Sequence, residues 1–355
     1  MRDQLKNRIL VAPLNWGLGH ATRCIPLINA LLANKFEPII ASDGIALALL
    51  QKEFPELETV ELPSYNITYA KNGQFFKLKM LQNSPKLIKA IKAEKKAIKT
   101  IVDTYRIDGI LSDNRLGVYS KHIPCVFMTH QLKVLSGNTT WLSTKMHQKI
   151  IKRFDECWVP DTMGEDNLSG ELSHIDSLGI PIKYIGSLSR FKKSKSQLKY
   201  DLLVLLSGPE PQRTLLQNLL LKELIAFKGK LLFVKGVVEG ESKASVNDHI
   251  TCYNFMTSEA LEQAINESKI VLSRSGYTTV MDLAKLEKKA FFIPTPGQFE
   301  QEYIAKRLTK LGLVPSCTQD EFKVEMLKTV EDFSGLKSTD YTTNYKRLFN
   351  LFESK

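Results

Sequence analysis

The sequence predicts an α/β protein made of two similar halves, each built on a parallel sheet. Short apolar runs alternate with longer helical patterns along the whole chain, as strands joined by crossover helices do. The series restarts at Asp201–Leu206 (DLLVLL), which is as strand-like as the first run, Arg8–Pro13 (RILVAP). Between the halves lies Phe191–Lys199 (FKKSKSQLK), a Lys/Ser-rich stretch that reads as a linker. At about 150 residues per domain, a chain of 355 residues suits two domains.

In order, RILVAP is the first strand, LNWGLG a loop and residues 20–33 a helix. Glu37–Ser42 and Leu57–Leu62 read as the second and third strands. A long helix spans Phe76–Thr104, with a break expected at Pro85, because proline removes a backbone donor and crowds the preceding turn. Ile107–Ser112, Cys125–Thr129 and Cys157–Val159 are further buried strands, and Tyr184–Gly186 leads into the linker. After DLLVLL come a glycine turn, a helix, and strands at Leu231–Lys235, Ile250–Asn254, Ile270–Ser273 and Ala290–Pro294. Tyr341, Tyr345, Leu348 and Phe352 are spaced by 4, 3 and 4, so they share one face of a terminal helix suited to docking across the domain junction. The expected organisation is therefore two Rossmann-like domains, residues 1–190 and 200–338, a linker at 191–199, and a helix at 339–355 that crosses back to the first domain.

Hydrophobic residues at 43% and charged residues at 25% exclude a mainly disordered chain. Apolar stretches such as Ile45–Leu50 are about a third of the roughly 20 residues a membrane span needs. The N-terminal apolar run is too short for a signal-peptide core, so the expected location is cytoplasmic. Cys24, Cys125, Cys157, Cys252 and Cys317 lie far apart with no CxxC, a reduced pattern that offers no zinc site. The net charge of +11 points to an anionic partner: nucleic acid, a phospholipid surface or a phosphorylated small molecule.

Four segments can carry chemistry. In Asn15–Arg23 (NWGLGHATR), Gly17 and Gly19 sit between strand and helix, where backbone amides can face an anion. A dinucleotide fingerprint would need glycine at position 22, which is Thr22, so a plain NAD site is weakly supported. His20 stands at the top of the sheet, where a histidine can act as a general base near neutral pH; the alternative is a residue that caps the helix or packs in the turn. Asp113 follows a strand whose end lies on the same side, so it can orient His20 and raise its basicity, or simply cap the next turn. In Leu206–Arg213 (LSGPEPQR), Ser207 and Gly208 can offer donors to a phosphate.

The fourth segment pairs Ser273–Asp282 (SRSGYTTVMD) with Pro294–Tyr303 (PTPGQFEQEY). Ser275, Gly276, Thr278 and Thr279 open a helix and make a diphosphate cradle. Asp282 can accept from ribose hydroxyls, and Gln298, Glu300, Gln301 and Glu302 can bond sugar hydroxyls; for the glutamates the alternative is a solvated helix start. There is no GxxxxGK[ST], no GxSxG and no pair of aspartates separated by one residue, which removes P-loop, hydrolase-elbow and DxD metal chemistry. His122, His130, His147, His174 and His249 form no close ligand pairs and read as surface or loop residues.

Together, GLGHATR, SRSGYTTVMDLA and PTPGQFEQEYIAKRL resemble the GT-B glycosyltransferases, in particular the MurG-like group (glycosyltransferase family 28). The resemblance covers most of the chain. It implies two Rossmann-like domains facing across a cleft and an inverting, metal-independent transferase with no cofactor. A UDP-sugar donor would sit mainly in the C-terminal domain and a hydroxyl acceptor, lipid-linked in related enzymes, mainly in the N-terminal one. By position, Ser207 and Gly208 match the phosphate loop, Arg190 a basic residue before the linker, and Ser275 and Gly276 the diphosphate contact. Asp282 stands where the family usually has a ribose-binding glutamate, Gln301 matches a sugar-contacting glutamine, and Glu302 replaces a second one. His20 matches the proposed base, and a His–Asp pair is known from related GT-B enzymes. NWGLGH departs from the GGTGGH of MurG, which puts a peptidoglycan acceptor in doubt.

Two rival readings compete with transfer. The GxGHxxRC string, Gly17 to Cys24, also resembles a UDP-sugar hydrolase of the same fold that uses the histidine to activate water, although residues 63–104 favour a genuine acceptor site. A non-enzymatic, basic binding protein would rest on the lysine excess, but no nucleic-acid motif is visible and no nucleic-acid partner is expected. After Pro85, Lys89, Lys92, Lys96 and Lys99 share one helix face opposite Leu87, Ile91, Ile98 and Ile101. That face is either an ordinary solvated surface or a dock for the anionic inner face of the cytoplasmic membrane.

Overall fold

The computed structural model describes residues 6–65, 76–237, 243–247, 249–339 and 341–353. Among these, residues 6–65, 80–188 and 341–353 form one compact unit and residues 189–339 the body of another. The first unit runs β1 (Arg8–Pro13), α1 (Gly19–Ala33), β2 (Glu37–Ser42), α2 (Gly44–Glu53), β3 (Thr59–Glu61), α3 (Phe76–Tyr105), β4 (Gly109–Asp113), β5 (Cys125–Met128), α4 (Thr140–Ile151), β6 (Glu156–Val159) and β7 (Ile182–Tyr184). Its seven strands pair in the order β3-β2-β1-β4-β5-β6-β7, all parallel. Strands covered on both faces must be apolar throughout, and β1, β4, β5 and β6 are accordingly buried almost from end to end. Leu10, Ile39, Ile110, Phe127 and Cys157 are central to that core.

The second unit runs β8 (Tyr200–Leu205), α5 (Gln212–Glu223), β9 (Leu231–Val234), β10 (Lys243–Asn247), β11 (Ile250–Tyr253), α6 (Ser258–Asn266), β12 (Ser268–Ser273), α7 (Tyr277–Lys285), β13 (Lys289–Phe292) and α8 (Phe299–Lys310). The sheet order is β10-β11-β9-β8-β12-β13, parallel except for the edge strand β10. Both sheets thus have the doubly wound order in which the first strand lies in the middle and the chain reverses direction beside it. The fold is two Rossmann-like α/β units.

Several expectations change. The long helix runs through Pro85 as a single element. FKKSKSQLK is not a free tether: Phe191 is buried, and the main-chain N–H groups of Lys192 and Ser194 donate to Glu262 and Asn266, so the stretch is laid along the second unit. Arg190, expected at the end of the first domain, belongs to the second unit. The C-terminal helix, α9 (Tyr345–Phe349), is shorter than the sequence stripe. Tyr341 precedes it, 46% exposed, with its hydroxyl on the Tyr184 carbonyl. Leu348 and Phe352 of the stripe are buried as expected, and Phe349, outside the stripe, joins Phe352 in packing on Phe36 and Trp158. A Cβ at Gly109 would lie 2.4 Å from the Phe352 ring, so the tail requires glycine there.

Candidate active site

In the first unit, register pairs Pro13 with Asp113 and Asp113 with Met128, so the C-terminal ends of β1, β4 and β5 are level. This is the point where strand order reverses and where open α/β sheets bind ligands. The chain leaves β1, turns at Gly17 with φ +78°, and enters α1 at Gly19–His20. That turn needs glycine, since φ in this range crowds a Cβ. His20 Nδ1 comes within 3.1 Å of Asp113 Oδ1, so the two residues picked from sequence do meet.

Arg23, three residues beyond His20 on the same face of α1, completes the cluster. It is 1% exposed and donates to both carboxylate oxygens of Asp113, with Nε 2.7 Å from Oδ2. Its Nη2 lies 2.8 Å from His20 Nδ1 and its Nη1 3.0 Å from His130 Nδ1. His130 is therefore not a surface histidine: it follows β5, is buried, and faces the guanidinium.

Charge decides the protonation states. Burial drives the His20 ring below its ordinary value; the Asp113 carboxylate opposes that shift and the Arg23 cation adds to it. Burial also pushes the Asp113 carboxyl up, but Arg23 and His20 outweigh this and hold it at about 2. At neutral pH the pair is therefore a carboxylate beside a neutral imidazole. Asp113 does make His20 more basic, as expected, but burial outweighs it and Arg23 adds to the lowering. A guanidinium only donates, so a Nδ1 that accepts from Arg23 leaves the ring proton on Nε2; a Nδ1–H donating to Asp113 leaves Nε2 free to take one.

A second buried network shapes the rim. Arg115 donates to Glu94 of α3 at 2.6 Å and to Asp43 at 2.7 Å. Asp43 accepts from Asn15 of the β1 loop, and Tyr65 donates to Glu94.

In the second unit, β8, β12 and β13 are neighbours, and Leu205, Ser273 and Phe292 are in register. Their ends carry every remaining residue singled out from sequence except Arg190 and Asp282. Ser207 and Gly208 follow β8, Gly208 with φ +104°. Gly276 is the N-cap of α7, and Thr278 lies half-buried in its first turn. The Ser275 hydroxyl donates to the Gln301 carbonyl at 2.8 Å. Gln301 accepts from the Thr295 amide at 2.9 Å and donates to Gln298, while Glu302 accepts from the Gly297 amide. These side chains brace the loops against one another, and the start of α7 presents backbone amides. Asp282 is mostly buried and accepts from Ser189 at 2.6 Å. Burial raises its carboxyl to about 6, against the Arg190 charge and the Ser189 hydrogen bond.

The comparisons agree with this fold. The chain is 22% identical over 328 residues to an uncharacterized glycosyltransferase of Methanopyrus kandleri, covering 86% of this chain and 88% of that protein. It is 22% identical over 298 residues to a UDP-N-acetylglucosamine–N-acetylmuramyl-(pentapeptide) pyrophosphoryl-undecaprenol N-acetylglucosamine transferase of Haemophilus ducreyi, covering 77% and 78%. The fold matches MurG of Acinetobacter baumannii with a TM-score of 0.54 and 13% identity, over 99% of this chain and 100% of that one. Residues 221–348 match the glycosyltransferase family 28 C-terminal domain.

The chain is a glycosyltransferase that resembles the MurG-like group.

Three side chains of this glycosyltransferase are not singled out by the sequence reading: Arg23, His130 and Arg274. The first had a signal, the i, i+3 spacing of His and Arg in GHATR. Arg274 had its place between strand end and helix start in SRSG. His130 had none, because its partner lies 107 residues away.

Proposed function

We propose that this glycosyltransferase moves a hexose or N-acetylhexosamine from a UDP-sugar to a hydroxyl acceptor, with inversion and without a metal. His20 is the general base and Asp113 its orienting carboxylate. The observation that carries this reading is the 3.1 Å contact of His20 Nδ1 with Asp113, at the strand-order reversal of the first sheet. The acceptor oxygen attacks the anomeric carbon as the bond to the diphosphate oxygen breaks; the hydroxyl proton passes to His20 Nε2 and UDP departs. Backbone amides at the start of α7 and the Ser207–Gly208 turn stabilise the departing diphosphate. Among the described residues, no three His, Cys, Asp or Glu side chains converge as a metal site.

The donor reading draws on the Haemophilus relative, whose name specifies a UDP-sugar and a lipid-linked acceptor. Docking at an anionic membrane is part of the proposal. Lys89, Lys92, Lys96 and Lys99 are all exposed on α3, while Ile98 and Ile101 are buried beneath. No helix among the described residues is long and apolar enough to cross a membrane. The test is product analysis with labelled UDP-sugars, with and without hydroxyl acceptors. Acceptor-dependent release of UDP with a β-linked product from an α-linked donor supports transfer with inversion. Rapid release of free sugar without acceptor would replace it with hydrolysis.

A further inference from the structure

Among the described residues three arginines are fully buried, and one of them has no anion beside it. Arg23 is paired with Asp113, and Arg115 with Glu94 and Asp43. Arg274, 1% exposed, donates only to neutral oxygens: from Nη1 to the carbonyls of Ile293 at 3.1 Å and Pro294 at 2.9 Å, and from Nη2 to the Gln212 carbonyl at 3.0 Å and Gln319 Oε1 at 2.8 Å. Burial alone lowers its pKa, to about 9; no neighbouring charge offsets it. Burying a cation without a counter-ion is costly, and natural proteins retain such a charge where something else neutralises it.

The position says what that is. Arg274 is the residue between β12 and Ser275–Gly276, and its acceptors are Gln212 at the start of α5, Ile293 and Pro294 directly after β13, and Gln319 beyond α8. It lies under the meeting point of the three loops that follow β8, β12 and β13. We propose that Arg274 is the fixed counter-charge for the diphosphate of the donor, and that the protein leaves it unpaired so that the ligand supplies the anion. The inference rests on the reading of these loops as the donor site.

Two variants test it. Arg274→Gln removes the charge and keeps part of the hydrogen bonding. By calorimetry it should weaken UDP by about 10- to 100-fold while changing uridine less than about twofold. Equal losses for UDP and uridine would make Arg274 merely structural, and unchanged UDP affinity would remove it altogether. Gln319→Glu places a carboxylate of the same shape 2.8 Å from the guanidinium. If the charge is unpaired, this variant melts at a higher temperature than wild type and binds UDP more weakly. A melting temperature that stays level or falls would overturn the proposal even if Arg274→Gln failed to fold. The melting comparison needs no ligand. A wild type that binds neither UDP nor uridine would refute the donor reading alone, and a raised melting temperature would still show the unmet charge.

Discussion

Asp113→Asn should damage both stability and catalysis, and the structure sets the size. The carboxylate is completely buried, and both oxygens take hydrogen bonds from Arg23. Asparagine has nearly the same shape, but it leaves the guanidinium buried without a counter-charge and turns one acceptor into a donor aimed at other donors. Removing one partner of a buried ion pair costs about 3–5 kcal/mol. The linkage route gives a similar scale. The carboxyl is held at about 2 against an ordinary 3.8, and a depression of that size is worth roughly 2–3 kcal/mol. Because the folded value is depressed, this stability is present above pH 4 and is lost as pH falls toward 2. The three tryptophans, Trp16, Trp141 and Trp158, all lie in the first unit, so intrinsic fluorescence reports its unfolding selectively. In urea at pH 7 the variant should lose about 3 kcal/mol or more, and the gap to wild type should narrow between pH 5 and pH 3. Arg23→Met combined with Asp113→Asn should cost clearly less than the sum of the two single changes, since the double variant strands neither charge. A loss below about 1 kcal/mol, strict additivity, or a gap independent of pH would refute this account.

His20→Ala should lower turnover by roughly 10²–10⁴-fold with UDP affinity retained; near wild-type turnover would remove His20 from the chemistry. Because the folded His20 titrates below its ordinary 6.5, the acid limb of the rate profile should fall below that value, and Arg23→Gln should move the limb upward. Asp282→Asn should weaken UDP. It should also be more stable than wild type at pH 8 and not at pH 4, because a carboxyl raised to about 6 penalises the folded state only when ionised. Activity should persist in excess EDTA, and loss rescued by magnesium or manganese would contradict a metal-free step. Sedimentation with anionic liposomes should be salt-sensitive and should disappear when Lys89, Lys92, Lys96 and Lys99 become glutamine; neutral liposomes should bind little.

The sequence alone determined the parts whose signal is local. Parallel strands buried on both faces must be continuously apolar, so RILVAP and DLLVLL announce themselves, and with them the two-sheet plan. A glycine turn between strand and helix marks the ligand edge of each sheet, and this local signal is what singles out His20, Ser207 and Gly276 as candidates. Surface elements carry weaker signals: α2 and α4 do not stand out as helices in the sequence, and α4 exposes Trp141, Leu142 and Met146, which blurs its periodicity. The antiparallel strand β10 and the start of the C-terminal helix at Tyr345 were likewise set by packing. Tertiary structure decided the electrostatics. Asp113 reaches Arg23 across 90 positions, and His130 across 107, because strand order, not sequence distance, sets which strand ends are neighbours. Whether a buried arginine is paired, as Arg23 is, or left unpaired, as Arg274 is, depends on that folding alone: desolvation makes each charge costly, and only the assembled neighbours can offset it.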